Sequence, residues 1–171
     1  MTRTIQDLNT SLTEHWNTDP AFYDKLNKEF NFTLDPCPPD PSFNGLQVKW
    51  SGRVYVNPPY RYIKIWIDKA LKERSNCEVI VFNIPVRSET KYFQDKVFGM
   101  ADEIRFVRGK LKFLKRDVDT QKVNLSGAPF PSCVVIYLGA HELFTVTDLT
   151  MFHTYQEEDW FVLKRNLVMV M

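Results

Sequence analysis

The sequence predicts an α/β domain: a mostly parallel sheet with an antiparallel edge and helices on both faces. Two nearly continuous apolar runs, Glu78–Ile84 and Ser132–Leu138, read as strands covered on both sides, because a strand with one wet face would alternate. Helical periodicity falls between strands in the first half of the chain. In the second half strand follows strand, the pattern of an antiparallel edge.

Each element has a local signal. Residues 1–15 are polar and are expected to be loosely ordered. Asp19-Pro20 opens a helix, with Asp19 as cap and Pro20 at the first helical position. Phe22, Leu26 and Phe30 give it one apolar face. Phe32-Thr33-Leu34 reads as a short strand ending at Asp35. Pro36, Pro38, Pro39 and Pro41 exclude helix and central strand from the following segment, which becomes a rigid loop to Gly45. Arg53–Val56 is the next strand and runs into Asn57-Pro58-Pro59-Tyr60. Ile63, Trp66, Ile67, Ala70 and Leu71 mark a helix to about Glu73. A short helix is expected over Thr90–Phe98. Glu103–Val107 and Lys110–Leu114 read as two strands around Gly109. Residues 145–171 form a C-terminal extension whose aromatic content makes it too apolar for a free tail.

Length and composition narrow the function classes. The 171 residues fit a single domain, and 44% hydrophobic with 25% charged residues is ordinary for a globular protein. Lys and Arg number 22 against 21 Asp and Glu, so any nucleic-acid contact must concentrate charge locally. Cys37, Cys77 and Cys133 form no CxxC pair, and the three histidines form no HxxxH pair, which argues against a zinc site and a disulfide framework. The first residues lack the apolar run of a signal peptide, and no stretch approaches eighteen apolar residues. The expectation is a cytoplasmic protein that needs no metal and no membrane.

Asn57-Pro58-Pro59-Tyr60 carries chemistry. An amino nitrogen on a planar base is a poor nucleophile because its lone pair is delocalised into the ring. A catalyst must accept hydrogen bonds from that amino group and aim the lone pair at an electrophile. Asn57 offers a side-chain carbonyl. Pro58 offers a backbone carbonyl whose direction two consecutive fixed φ angles restrict. Tyr60 offers a flat face for an extruded base. A strand before the loop and a helix after it place it at the carboxyl edge where α/β sheets bind ligands. The bland alternative is a proline-rich strand-to-helix turn.

Several elements stand in a definite order: Trp16–Pro20, Phe30–Cys37, Asn44-Gly45-Leu46 with Trp50, Val54–Tyr60, Pro85–Thr90 with Tyr92-Phe93, Phe106–Phe113 and Pro129–Ser132. In that order they resemble the phage and prophage DNA N-6-adenine methyltransferases, a compact Dam-like family. The resemblance implies a reduced Rossmann-like class I methyltransferase fold and S-adenosylmethionine as donor. It also implies DNA as partner and Asn57–Tyr60 as the catalytic loop. Asp35, with Pro36 and Cys37, falls where the donor would be held, and Trp16 and Thr18 would close over it. The glycine-rich donor loop common in methyltransferases is absent, and the chain has only six glycines.

Arg105–Arg116 holds six basic residues and no acidic one, with Lys110 and Lys112 alternating with Leu111 and Phe113. A ribbon there would carry a basic face over an apolar one, and Arg108, Lys110 and Lys112 become candidate phosphate contacts. A solubilising edge strand is the alternative. Arg87 follows a strand at the same sheet edge as the loop and is a further candidate. The leading expectation is methyl transfer to adenine N6 in DNA by base flipping. RNA, a protein glutamine, or a degenerate module that binds DNA without modifying it are the rivals.

Overall fold

The computed structural model describes residues 17–39, 41–116, 123–139, 152–157 and 160–165. The first strand, β1, is Asn17–Thr18, and helix α1 runs Pro20–Phe30 with Pro at its start. Asp19 caps α1 as its side chain accepts from Ala21 N at 3.0 Å. The helix ends at Asn31 in the left-handed conformation, φ 50°. The predicted Phe32–Leu34 strand reduces to an isolated parallel bridge, Leu34 to Val54. Strand β2 is Gly52–Val56. After a 3-10 turn at Tyr60–Tyr62 comes helix α2, Ile63–Glu73, and then β3, Cys77–Pro85. The helix expected over Thr90–Phe98 is π-helical across Phe93–Phe98.

The remaining strands are β4 Glu103–Val107, β5 Lys112–Arg116, β6 Val123–Gly127, β7 Ser132–Leu138, β8 Phe152–Glu157 and β9 Trp160–Arg165. The main sheet has six strands in the order β2-β3-β7-β4-β9-β8, and a second sheet of three has the order β1-β5-β6. The class is α/β as predicted, but the expectation of a mostly parallel sheet is corrected. Among the described residues only β2 and β3 pair parallel, with the Leu34 bridge extending that arrangement, and the other ladders are antiparallel. Parallel pairing needs a long crossover, and among the described residues only β2–α2–β3 provides a helical one between paired strands.

Strand alternation divides the core into two layers. Val54, Val56, Ile80, Phe82, Ile84, Val135 and Tyr137 face α2 and pack with its Trp66, Ile67 and Ala70. Tyr55, Val79, Val81, Val134, Ile136 and Val162 face α1 and pack with its Leu26. Helices therefore cover both faces, as predicted. Full burial of side chains such as Leu26, Trp66 and Phe82 contributes roughly 1.5–3 kcal/mol each before entropy is counted.

Two further expectations change. Strands β4 and β5 are not partners around Gly109: β4 lies in the main sheet between β7 and β9, whereas β5 pairs with β6 and β1. Gly109 has φ +75° and open space around its missing Cβ, so it serves the turn between the two sheets. Of the C-terminal extension, β9 joins β4 in antiparallel register and Trp160 packs against Phe22 of α1, the rings tilted by 58° with centroids 5.6 Å apart. Residues 1–15 and Trp16 lie outside the described residues. No described helix is long and apolar enough to cross a membrane.

Candidate active site

β2 ends where its side chains have alternated for five residues. Val54 and Val56 point toward α2, so Tyr55 and Asn57 point toward α1. Asn57 Nδ2 donates to Thr18 Oγ1 at 3.0 Å, and the same oxygen lies 2.7 Å from the Tyr55 hydroxyl. Thr18 is held there because β1 pairs with β5, Thr18 opposite Phe113. Pro58 is buried, and Pro59 O accepts from Tyr62 N at 2.8 Å, which closes the turn into α2. No peptide bond among the described residues is cis.

Tyr60 is half-buried and meets Phe130 edge to face, centroids 5.2 Å apart at 84°. The exposed Arg87 has its guanidinium 5.9 Å from the same Phe130 ring. Phe22, Leu111 and Ala128 complete this small apolar group. The loop, Arg87 and the Leu111 segment thus meet at one place.

Asp35 lies on the neighbouring chain. Tyr55 N donates to Leu34 O at 2.9 Å, and the parallel bridge sends Asp35 and Asn57 out of the same sheet edge. Asp35 Oδ1 accepts from Cys37 N at 2.8 Å. The proline loop behind it is stitched in place. Gly45 packs so closely that a Cβ would sit 1.8 Å from Pro36 O, and Gly45 O accepts from Trp50 Nε1 at 2.8 Å. Burial pushes the Asp35 carboxyl up to about 6, with the Cys37 N–H only partly opposing it. No basic side chain among the described residues contributes to its ionisation. Cys37 is half-buried, and burial with the adjacent Asp35 raises its thiol to about 12, so it stays neutral and packs rather than attacks.

The structure therefore brings Thr18, Asp35, Pro36, Cys37 and Asn57–Tyr60 to one edge. The basic stretch divides. Arg108, Lys110 and Lys112 are exposed, and buried Leu111 sits between the two lysines in the predicted alternation. Arg105 is corrected: it is buried, not part of a basic face. Its guanidinium bonds both oxygens of Glu29 at 2.6 Å and Glu103 at 2.5 Å. Position in the strand decides this, because Arg105 shares the α1-facing side of β4.

Sequence reasoning passed over four residues here. Tyr55 was legible as the residue two before Asn57, on the same strand face. Tyr23 lies edge-on to Tyr55 at 5.0 Å, a contact with no local signal. Phe130 and Asn83 depend on strand register. Val56 is level with Phe82, which sets Asn83 beside Asn57 one residue on. Asn83 is fully buried, and neither of its polar side-chain atoms has a hydrogen-bond partner among the described residues. Ser132 Oγ, nearby on β7, is in the same state.

A family model for the DNA N-6-adenine-methyltransferases (Dam) matches residues 6–156. No curated protein matches. Two solved chains match; one is a protein of Pyrococcus horikoshii assigned to the RNA methyltransferases. That one is 13% identical with a TM-score of 0.36, and the match spans 71% of this chain and 60% of the other. So slight a likeness carries neither substrate nor partner across.

Proposed function

The chain belongs to the DNA N-6-adenine-methyltransferase (Dam) family, and from that premise we propose that it transfers a methyl group from S-adenosylmethionine to N6 of adenine in DNA. The convergence of Asp35 and Asn57 at one sheet edge carries this reading. It joins a carboxylate whose ionisation no described basic side chain assists to a loop whose Asn57 and Pro58 carbonyls can accept hydrogen bonds.

When bound, S-adenosylmethionine supplies a methyl group on a positively charged sulfur that departs as a neutral thioether. The chemistry of Asp35 fits such a donor. A carboxyl raised to about 6 by burial gains most from a partner that brings positive charge. Asn57 and Pro58 offer carbonyl oxygens to the two amino hydrogens of adenine. This draws the nitrogen lone pair out of the ring and along the line to the methyl carbon. The new N–C bond forms as the C–S pair returns to sulfur, and the cationic nitrogen then loses its proton to water. Tyr60, braced by Phe130, supplies the stacking face for a base turned out of the duplex. Arg87, beside Phe130, and the exposed Arg108, Lys110 and Lys112 on the segment around Leu111 are the cations we assign to the phosphates.

Labelled donor incubated in parallel with DNA, RNA and protein tests the reading, with mass spectrometry of the modified unit. N6-methyladenine from DNA is expected from the native protein and none from Asn57→Ala. Label confined to RNA or glutamine transfers the site to another polymer, and undiminished turnover in Asn57→Ala removes the loop from the mechanism.

A further inference from the structure

A carboxamide has two different ends, and methyl transfer to an amino group needs the carbonyl end of Asn57 forward. Nothing in the Asn-Pro-Pro-Tyr sequence says which end that is. The structure supplies a cause. Asn57 Nδ2 is committed to Thr18 Oγ1 at 3.0 Å, which turns Oδ1 to the opposite edge. Thr18 can accept that bond while engaged with Tyr55 at 2.7 Å in either sense, because a hydroxyl has one donor and two acceptor sites.

Two features hold Thr18 on station. Its backbone pairs with Phe113 of β5. Its side chain meets a phenol that is 2% exposed and wedged between Tyr23 and Phe32, ring centroids 5.0 and 5.2 Å away. Burial raises that phenol above the ordinary tyrosine range, so it stays protonated. A tyrosine hydroxyl placed in a core, where phenylalanine would fill the same space, calls for a use.

We propose that Thr18 and Tyr55 are positioning residues: together they orient the Asn57 carboxamide so that its carbonyl faces the acceptor nitrogen. This rests on the methyltransferase reading of the loop and deepens it. It also assigns the Thr18 hydroxyl to Asn57 rather than to the donor.

The test uses the full chain as Thr18→Val and Tyr55→Phe, each nearly isosteric, and as Thr18→Ser, which keeps the hydroxyl. Single-turnover transfer to DNA is measured at saturating donor, and donor affinity is measured separately by direct binding. Thr18→Val and Tyr55→Phe are expected to lower the single-turnover rate by about tenfold or more, the scale of loss when a reacting group is held slightly out of line. Donor affinity stays within about twofold, and Thr18→Ser recovers most of the rate by restoring the hydroxyl. A Thr18→Val protein that loses donor affinity but keeps its rate at saturation places Thr18 in the donor site and overturns the proposal. Unchanged rates in both variants overturn it as well.

A second readout does not depend on the acceptor polymer. The Asn57 side-chain amide protons, assigned by their loss in Asn57→Asp, are expected to be slowed in exchange in the native protein and to lose that protection in Thr18→Val. Equal exchange in both refutes the orienting bond even if the native protein methylates something other than DNA. Inactivity of the native protein on DNA, with amide protection intact, counts against the substrate and supports the orienting bond.

Discussion

Replacing Asp35 with Asn separates a carboxylate held for a cationic ligand from one that merely caps a turn. The substitution keeps an oxygen for Cys37 N, whose present bond is 2.8 Å, and changes little else than charge. Burial, the leading cause, pushes the carboxyl from the usual 3.8 up to about 6. At about 1.4 kcal/mol per pH unit, ionising Asp35 in the folded state costs up to about 3 kcal/mol. Asp35 keeps some contact with water, so screening lowers the measurable value to between about 1 and 3 kcal/mol. The folded state binds the proton more tightly than the unfolded chain, so stability falls as pH rises from 3.8 to about 6 and is level above that. Asp35→Asn is therefore expected to be more stable than the native protein at pH 8. Its advantage shrinks as pH falls through that window and is gone near pH 4. Urea titrations at the two pH values measure it, as does thermal unfolding at roughly 2–4 °C per kcal/mol. S-Adenosylmethionine at a hundredfold excess over its Kd stabilises the native protein by about 2.7 kcal/mol, and the variant much less. An Asp35→Asn protein that is less stable at pH 8 refutes the argument, because Asp35 would then be an ordinary cap or the partner of a cation.

Other expectations concern separate parts of the molecule. Asn83→Val removes a buried carboxamide with no hydrogen-bond partner among the described residues; it is expected to raise stability by about 1–2 kcal/mol, as read by denaturant unfolding. Lys110→Ala with Lys112→Ala should weaken DNA binding and reduce the slope of log affinity against log salt by about 2; an unchanged slope returns these lysines to a solubilising role. Arg105→Ala should leave Glu103 without its buried partner and cost about 3 kcal/mol in denaturant unfolding, with no change in the salt slope of DNA binding.

Much of the architecture was legible because it is written locally. Asp19-Pro20 is a cap followed by a first-turn proline, and α1 begins there. The apolar runs at Glu78–Ile84 and Ser132–Leu138 became adjacent strands buried on both faces. The loop Asn57–Tyr60 stands between strand and helix as its flanks predicted. Legibility ended where partners come from far along the chain. Lys110–Leu114 was recognisable as a strand, but nothing near Gly109 indicates that β5 leaves β4 for β6 and β1. Arg105 sits in a run of basic residues and looks like its neighbours, until register turns it toward Glu29 on α1, 76 residues away.

By itself, then, the sequence determined the α/β class, the main elements and a loop suited to gripping an amino group, since these follow from periodicity, caps and the fixed angles of proline. Tertiary structure alone decided that most of the sheet is antiparallel, that Arg105 belongs to the core, that Thr18 links Asn57 to Tyr55, and that Asp35 leaves the same sheet edge as Asn57. Those outcomes depend on strand register and on contacts between residues tens of positions apart. Asn57 could be read as an acceptor from its own chemistry; which way it points depends on Thr18, 39 residues upstream.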